Sequence, residues 1–372
     1  MTLQQKLTLF LLSIPGWHTS RKIIVIESDD WGSIRMPSKT VYDRLVHTGH
    51  RVDNLSFNRY DSLASTEDLR ALYDTLFSVK NKYNEHPVIT ANTIVANPDF
   101  DKISATNFRE YHFELFPETL KTYPEHQDAF KMWQYGIQKK IFKPQFHGRE
   151  HLNVQRWLKA LQNNAGKVRI AFDHKMYDLS EDSSISENTF VDAFNCRQLN
   201  ELDFIKKSIT EGLDAFEKLF GYRSETMIAP CYIWSKDLEE TMYMNGIKGI
   251  QGGYFQLQPQ GTEPDKFRKK FNYTGKSNKF KQRYTCRNVF FEPSSQPDYD
   301  WVGDNLERID FLFSVKKPVI ISSHRLNYVG YIHKENRERN LELLKKLLDK
   351  LIDKYPDIEF MSSDKLVELI NG

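Results

Sequence analysis

Short apolar runs alternate along this chain with longer stretches of helical periodicity, and that alternation most restricts the fold. Strands buried on both faces of a parallel sheet read as near-continuous apolar segments, whereas helices packed outside such a sheet carry one apolar stripe. The pattern predicts strands at 22–27, 87–95, 141–146, 168–173, 226–229, 247–251, 318–323 and 358–361. Helices are predicted between them at 38–47, 66–82, 150–163, 199–220, 235–245 and 335–354. The last is the clearest, with Leu341, Leu343, Leu344, Leu347, Leu348 and Leu351 on one face opposite Lys, Glu and Asp. The fold class expected is therefore α/β, mainly parallel strands with helices outside. A chain of 372 residues with 40% hydrophobic content can bury one barrel-sized core. Residues 22–372 are read as that single unit, elaborated at about 97–140 and 254–300. The first stretch is rich in aromatics and is expected to form loops and short helices over the mouth; the second carries prolines and a basic run from Lys266 to Lys281, and is expected to form a hairpin.

Residues 1–21 hold the apolar run Leu7 to Ile14 after Lys6. This run lacks a small-residue cleavage site and falls short of the roughly 20 apolar residues that cross a bilayer, so a packed helical segment is expected and no transmembrane segment. Charge is nearly balanced, 52 basic against 50 acidic residues, which leaves no field to gather nucleic acid or an anionic membrane. Cys196, Cys231 and Cys286 are odd in number and widely spaced. They form neither a disulfide framework nor a Cys-rich zinc site, and a cytoplasmic location is expected over a secreted or periplasmic one.

Three apolar runs end in ionisable groups. The run Lys22 to Ile26 leads into Glu27-Ser28-Asp29-Asp30-Trp31-Gly32, so two adjacent carboxylates follow a strand, where α/β folds place their chemistry. Alternation can aim one carboxylate at a metal and its neighbour at a water. The second run is followed by Phe146-His147-Gly148-Arg149-Glu150-His151, two histidines four apart, expected on one side of a helical turn and able to share a zinc-sized ion. Gly148 stands where a His-Glu-x-x-His motif would need its glutamate, so a separate carboxylate must act as base. Adding Asp30 gives three protein ligands and leaves positions open, the pattern of a catalytic site, with Asp29 as base for metal-assisted hydrolysis. The third run, Pro318 to Ser323, ends in His324, which can donate a proton to a departing group once a carboxylate keeps it charged.

On these residues the chain resembles the polysaccharide deacetylases, carbohydrate esterase family four, which take acetyl groups from glycans with a divalent metal in a distorted (β/α)7-type barrel. The resemblance covers 22 to about 365 and implies Asp29 as base, Asp30, His147 and His151 as metal ligands and His324 as acid. The segment Met227-Ile228-Ala229-Pro230-Cys231-Tyr232 is similar to the family's third signature, which implies a Cys231 backbone N–H as oxyanion donor. The Asp-Tyr-Asp-Trp at 298–301 resembles the fourth, which implies Asp300, with Asp298 and Asp304 competing for the same place, as the carboxylate supporting catalysis and Trp301 as a wall of the acetyl pocket, with Trp31 and Tyr232 also placed against substrate. Zinc is the expected ion, although cobalt, nickel or iron suit the same ligands. The expected partner is an acetylated glycan, cleaved at an N-acetyl amide in preference to an O-acetyl ester.

The chain departs from the family where an Arg two before the signature proline orients the base. Ile228 stands there, and Arg35 or Arg149 is the expected replacement. Two rivals follow. A glycoside hydrolase on a related barrel would need two carboxylates flanking a sugar bond, for which Glu150 and Asp173 are candidates. A non-catalytic carbohydrate-binding member would keep the groove without base or acid. His50, His86, His112, His126, His174 and His333 are read as surface or structural.

Overall fold

Nine strands form one sheet: β1 (Ile23–Trp31), β2 (Ile89–Ile94), β3 (Phe142–Gly148), β4 (Thr226–Ile228), β5 (Gly249–Gly252), β6 (Arg283–Cys286), β7 (Val289–Phe290), β8 (Val319–His324) and β9 (Glu359–Phe360). This computed structural model describes residues 1–164, 166–179, 190–198, 200–262 and 265–372; Leu199, in a predicted helix, and Pro264, in the predicted excursion, lie outside the described residues. The order is β6-β5-β4-β3-β2-β1-β8-β7, with β9 beside the start of β1, and every pairing is parallel. The sheet is a curled, distorted (β/α) barrel. Its seam is a single extended segment, Arg283 to Phe290: the first half, β6, pairs with β5, and the second half, β7, pairs with β8.

Alternation along β1 sorts its side chains into two layers. Ile24, Ile26 and Trp31 join the main apolar cluster between sheet and helices, with Tyr73, Trp133, Phe142, Leu344 and Leu348. Ile23 and Val25 face inward and, with Ile320 of β8, meet Leu366 and Ile370 of the helix Ser363–Asn371, which closes the end of the barrel where β1 begins. Each fully buried aliphatic side chain contributes about 1.5–3 kcal/mol, so these layers set the frame on which everything else is hung.

The helix predicted at 335–354 spans Lys334–Lys354 and buries Leu341, Leu344, Leu347, Leu348 and Leu351. The strand predicted at 168–173 is instead the helix Gly166–Asp173. Val168, Ala171 and Phe172 are its buried residues, three and four apart, so the short apolar run carried a helical period that its composition disguised. The stretch 97–140 forms a small antiparallel pair, Ala96–Pro98 with Phe113–Leu115, and several helices. One of these, Ala129–Gln138, packs on the outside of the barrel through Trp133, away from the mouth. Phe255–Pro259 and Phe267–Phe271 form an antiparallel hairpin within the later excursion. The helix Leu3–Ser13 begins with a Thr2–Gln5 capping box and is held by ion pairs of the Met1 amino group and Lys6 with Glu307. It buries Leu9 and Ser13, while Leu3, Leu7, Phe10, Leu11 and Ile14 are exposed. No helix among the described residues is long and apolar enough to cross a membrane.

Candidate active site

The Asp-Asp pair was expected just past the end of a strand, but β1 continues through it to Trp31. From Ser28 to Trp31 the strand advances three residues while its partner β2 advances two, Ala91 to Thr93, so β1 carries one extra residue. This β-bulge brings Asp30 to a left-handed φ of 70°. A non-glycine residue in that region costs about 1–3 kcal/mol and persists only where its surroundings hold it. The result is that adjacent Asp29 and Asp30 both serve the interior, while Trp31 returns to the outer face and its indole N–H donates to Ser28 Oγ at 2.9 Å.

His147 is aimed in the same manner. Thr93 and Ile94 of β2 sit opposite Phe146 and Gly148 of β3, which makes His147 the extra residue of a second bulge. Its Nδ1 donates to the Ile228 carbonyl at 2.9 Å, fixing the tautomer that presents Nε2 as a lone pair. Gly148, at φ 144°, turns the chain out of the strand, and the next helix begins only at Val154. The two histidines therefore meet across a strand end and a bend, not along the expected helical turn. Their rings lie 5.0 Å apart.

Asp30, His147 and His151 offer ligand atoms that all lie within 4.8 Å of one another. Each histidine Nε2 approaches Asp30 Oδ1, at 3.4 Å from His147 and 3.3 Å from His151. All three side chains are buried, and among the described residues His147 Nε2 has no hydrogen-bond partner. Burial holds the His151 imidazole down at about 3, despite the Asp30 charge, so it is neutral and has a free lone pair. Burial disfavours the Asp30 carboxylate, but the facing imidazoles outweigh it and keep the group well below the usual carboxylate range. A buried lone pair without a donor, beside an anionic oxygen and a second neutral imidazole, is a donor set that fits a divalent cation.

Asp29 stands beside this set. Arg287, fully buried at the seam between β6 and β7, grips it with two bonds, Nη1 to Oδ2 at 2.7 Å and Nη2 to Oδ1 at 2.6 Å. Arg287 Nε donates to Glu27 at 2.7 Å, and Ser363 Oγ donates to the other oxygen of Glu27 at 2.8 Å. Asn92 adds a bond to Asp29 Oδ1 at 2.7 Å. Burial alone would raise the Asp29 carboxyl, yet the Arg287 charge and hydrogen bonds outweigh it and hold the group at about 2. The guanidinium that orients Asp29 is thus Arg287, not Arg35 or Arg149. Arg149 is turned away and pairs with Glu150 and Glu211.

His324 is the register partner of Asp29 across the β1–β8 pair, and its Nε2 lies 3.9 Å from Asp29 Oδ2. Its Nδ1 bonds Glu292 Oε1 at 2.7 Å, and Asn327 donates to the other Glu292 oxygen. Burial opposes its charge, but Glu292, with Asp30 and Asp29 behind it, raises the imidazole to about 10. The carboxylate supporting His324 is therefore Glu292. Asp300, expected in that role, is exposed and caps the helix Trp301–Ser314 through the Gly303 N–H.

The remaining expected residues divide. Pro230 is followed by two left-handed residues, Cys231 at φ 57° and Tyr232 at φ 58°, and among the described residues the Cys231 N–H has no backbone acceptor. Burial pushes its thiol up, so the side chain is not a nucleophile. Tyr232 receives a hydrogen bond from Arg287 at 3.2 Å and helps hold that guanidinium. Trp31, at 1% exposure, is packed edge-on against Phe142 and Trp133 in the outer core and cannot line a substrate site. Trp301 is likewise in that core, with its indole N–H on the Gln296 carbonyl, and does not wall an acetyl pocket. Of the glycosidase candidates, Glu150 is consumed by Arg149 and Ser208, and Asp173 is exposed at the end of a helix. His174, read as surface or structural, bonds the Ile170 carbonyl at that helix end.

No protein-family model matches the chain, and no curated protein matches it. Among solved structures it is similar to a Parabacteroides distasonis protein provisionally assigned as a glycoside hydrolase/deacetylase, at 10% identity and a TM-score of 0.48 over 95% of this chain and 72% of the other. It is similar at 8% identity and a TM-score of 0.47 to 4-alpha-glucanotransferase from Thermococcus litoralis, covering 94% of this chain but only 40% of that one. A CE4 domain of a multidomain xylanase from the hindgut metagenome of Trinervitermes trinervoides follows at 11% identity, a TM-score of 0.37, and 94% and 92% coverage. At such scores none of them bears on what this chain does.

Proposed function

We propose that the chain is a metal-dependent hydrolase that removes acetyl groups from a polysaccharide or oligosaccharide, N-acetyl in preference to O-acetyl. One observation carries the reading: Asp30, His147 and His151 converge within 4.8 Å while Asp29 and His324 stand as register neighbours beside them. A divalent ion held by those three residues, zinc in the first place, would supply Lewis acidity toward the acetyl carbonyl and acidify water.

The chain's own groups do the rest. Asp29 Oδ1 already accepts two hydrogen bonds and Oδ2 one, so Oδ2, the oxygen nearer His324, retains capacity to take the proton of the attacking water. A carboxylate held at about 2 stays ionised at every working pH and is a weak base, which matches it to an acidified water rather than a bulk one. Arg287 and Asn92 keep it from swinging. The Cys231 N–H receives the negative charge that develops on the carbonyl oxygen. His324, kept protonated by Glu292, gives its Nε2 proton to the departing nitrogen, and acetate and a free amine leave.

A non-catalytic reading rests on the missing signature arginine, and the Arg287 guanidinium on Asp29 supports the catalytic one over it. The test is acetate release from acetylated chito-oligosaccharides by zinc-loaded protein, with metal content measured alongside. Asp29→Asn and His324→Ala are expected to retain the metal and lose turnover by at least a hundredfold. Substantial acetate release by both variants would sink the assignment, and new reducing ends without acetate would indicate a glycosidase.

A further inference from the structure

Arg35 lies four residues after the bulge of β1 and is only half-buried. Its guanidinium rests 5.5 Å from the Phe57 ring and 5.3 Å from the Tyr177 ring. Tyr177 is itself buried and pinned by Ser33 through its hydroxyl at 3.2 Å. Phe57 in turn packs edge-on against His324 at 5.2 Å, so one aromatic ring separates the guanidinium from the imidazole assigned to the leaving group. Phe57 thus sets Arg35 beside the same mouth as His324.

Three other arginines at or just beyond the strand ends each have a carboxylate. Arg287 holds Asp29 and Glu27, Arg325 holds Asp61 with two bonds at 2.9 Å, and Arg149 holds Glu150. Among the described residues Arg35 alone of these four has neither a hydrogen bond nor a carboxylate within ion-pair distance; Asp178, Asp30 and Asp61 act on it only from farther away. An aromatic clamp that orients a planar, permanently charged fork and leaves its donors unused is suited to a planar or tetrahedral oxyanion from outside the protein.

We propose that Arg35 is an anion anchor, and that the glycan acted on carries a carboxylate or phosphate within the span of a disaccharide from its acetyl group. This rests on the deacetylase reading and narrows its substrate class. The test compares kcat/KM for acetate release from three probes: N,N′-diacetylchitobiose, its 1-phosphate, and a disaccharide of N-acetylglucosamine with glucuronate. The zinc-loaded wild type is expected to prefer at least one anionic probe over the neutral one by tenfold or more. Arg35→Gln is expected to bring that ratio to within about twofold, and Arg35→Lys to keep part of it. Which anionic probe responds separates phosphate from carboxylate. Calorimetry on Asp29→Asn, with and without Arg35→Gln, reads binding independently of turnover. An unchanged ratio in Arg35→Gln, or neutral and anionic probes used alike, overturns the anchor while leaving deacetylation standing. Arg35-dependent binding of an anionic probe without acetate from any sugar would sink the deacetylase reading and keep the anchor. Absence of both effects overturns the anchor.

Discussion

At the residue scale the proposed chemistry turns on how two titratable groups are held in opposite charge states side by side. His324 owes its charge chiefly to Glu292, so Glu292→Gln is expected to lower the imidazole titration midpoint from about 10 toward or below its ordinary value near 6.5. Imidazole proton shifts followed by NMR check this. The sign for stability follows from the same shift. A histidine whose folded value exceeds its unfolded one stabilises fully below about 6.5, and that contribution fades as pH rises toward 10. Urea midpoints of wild type and Glu292→Gln should therefore differ at pH 6 and converge at high pH. Asp29, Asp30, His147, His151 and His324 were legible in the sequence because each follows an apolar run at the same end of the sheet. Glu292 was not singled out, although Val289-Phe290-Phe291-Glu292 has the same form, because Asp298, Asp300 and Asp304 offered a more familiar spacing nearby. Trp31 and Trp301 failed for another reason: an aromatic next to a catalytic motif looks the same whether it faces a ligand or the core.

At the scale of elements, two bulges and one seam build the site. Alternation alone would send Asp29 and Asp30 to opposite faces, and nothing in the run Glu27 to Gly32 signals the extra residue that corrects this. Gly148 is the one hint on the other strand. A Cβ there would stand 3.0 Å from the Glu150 carbonyl oxygen, at a φ of 144° that side chains rarely adopt. Gly148→Ala is expected to destabilise the fold by about 1–3 kcal/mol and to weaken metal binding, measured by urea unfolding and by competition with a colorimetric chelator. Asp30→Gly separates strain from ligation: it relieves the left-handed backbone yet removes the anionic ligand, so metal affinity should collapse while the apoprotein unfolds no more easily. Arg287 could not be found by motif, because its position depends on a strand changing partners halfway along its length. Arg287→Met leaves Asp29 and Glu27 as buried, uncompensated carboxylates. A loss of about 3–5 kcal/mol is expected, together with loss of turnover.

For the whole molecule, the parallel layering and most helices followed from periodicity alone, whereas the strands at 283–286 and 289–290 and the helix Gly166–Asp173 did not, since runs of two to six residues are too few to separate the two periods. The three residues proposed to hold the metal lie on β1, on β3 and on the bend beyond β3. Chelation is thus expected to lower the melting temperature, and added zinc to restore it in a concentration-dependent way, by linkage of a ligand that binds only the folded chain. A melting curve indifferent to chelator would count against a bound ion. The seam has a further consequence. Because the span that zips the ring shut is also the one that restrains Asp29, the proposed base, fraying there would silence the proposed centre before it disturbed the bulk of the helices. Mild denaturant should then extinguish activity ahead of any change in circular dichroism, and amide exchange in residues 283–290 should track that early loss.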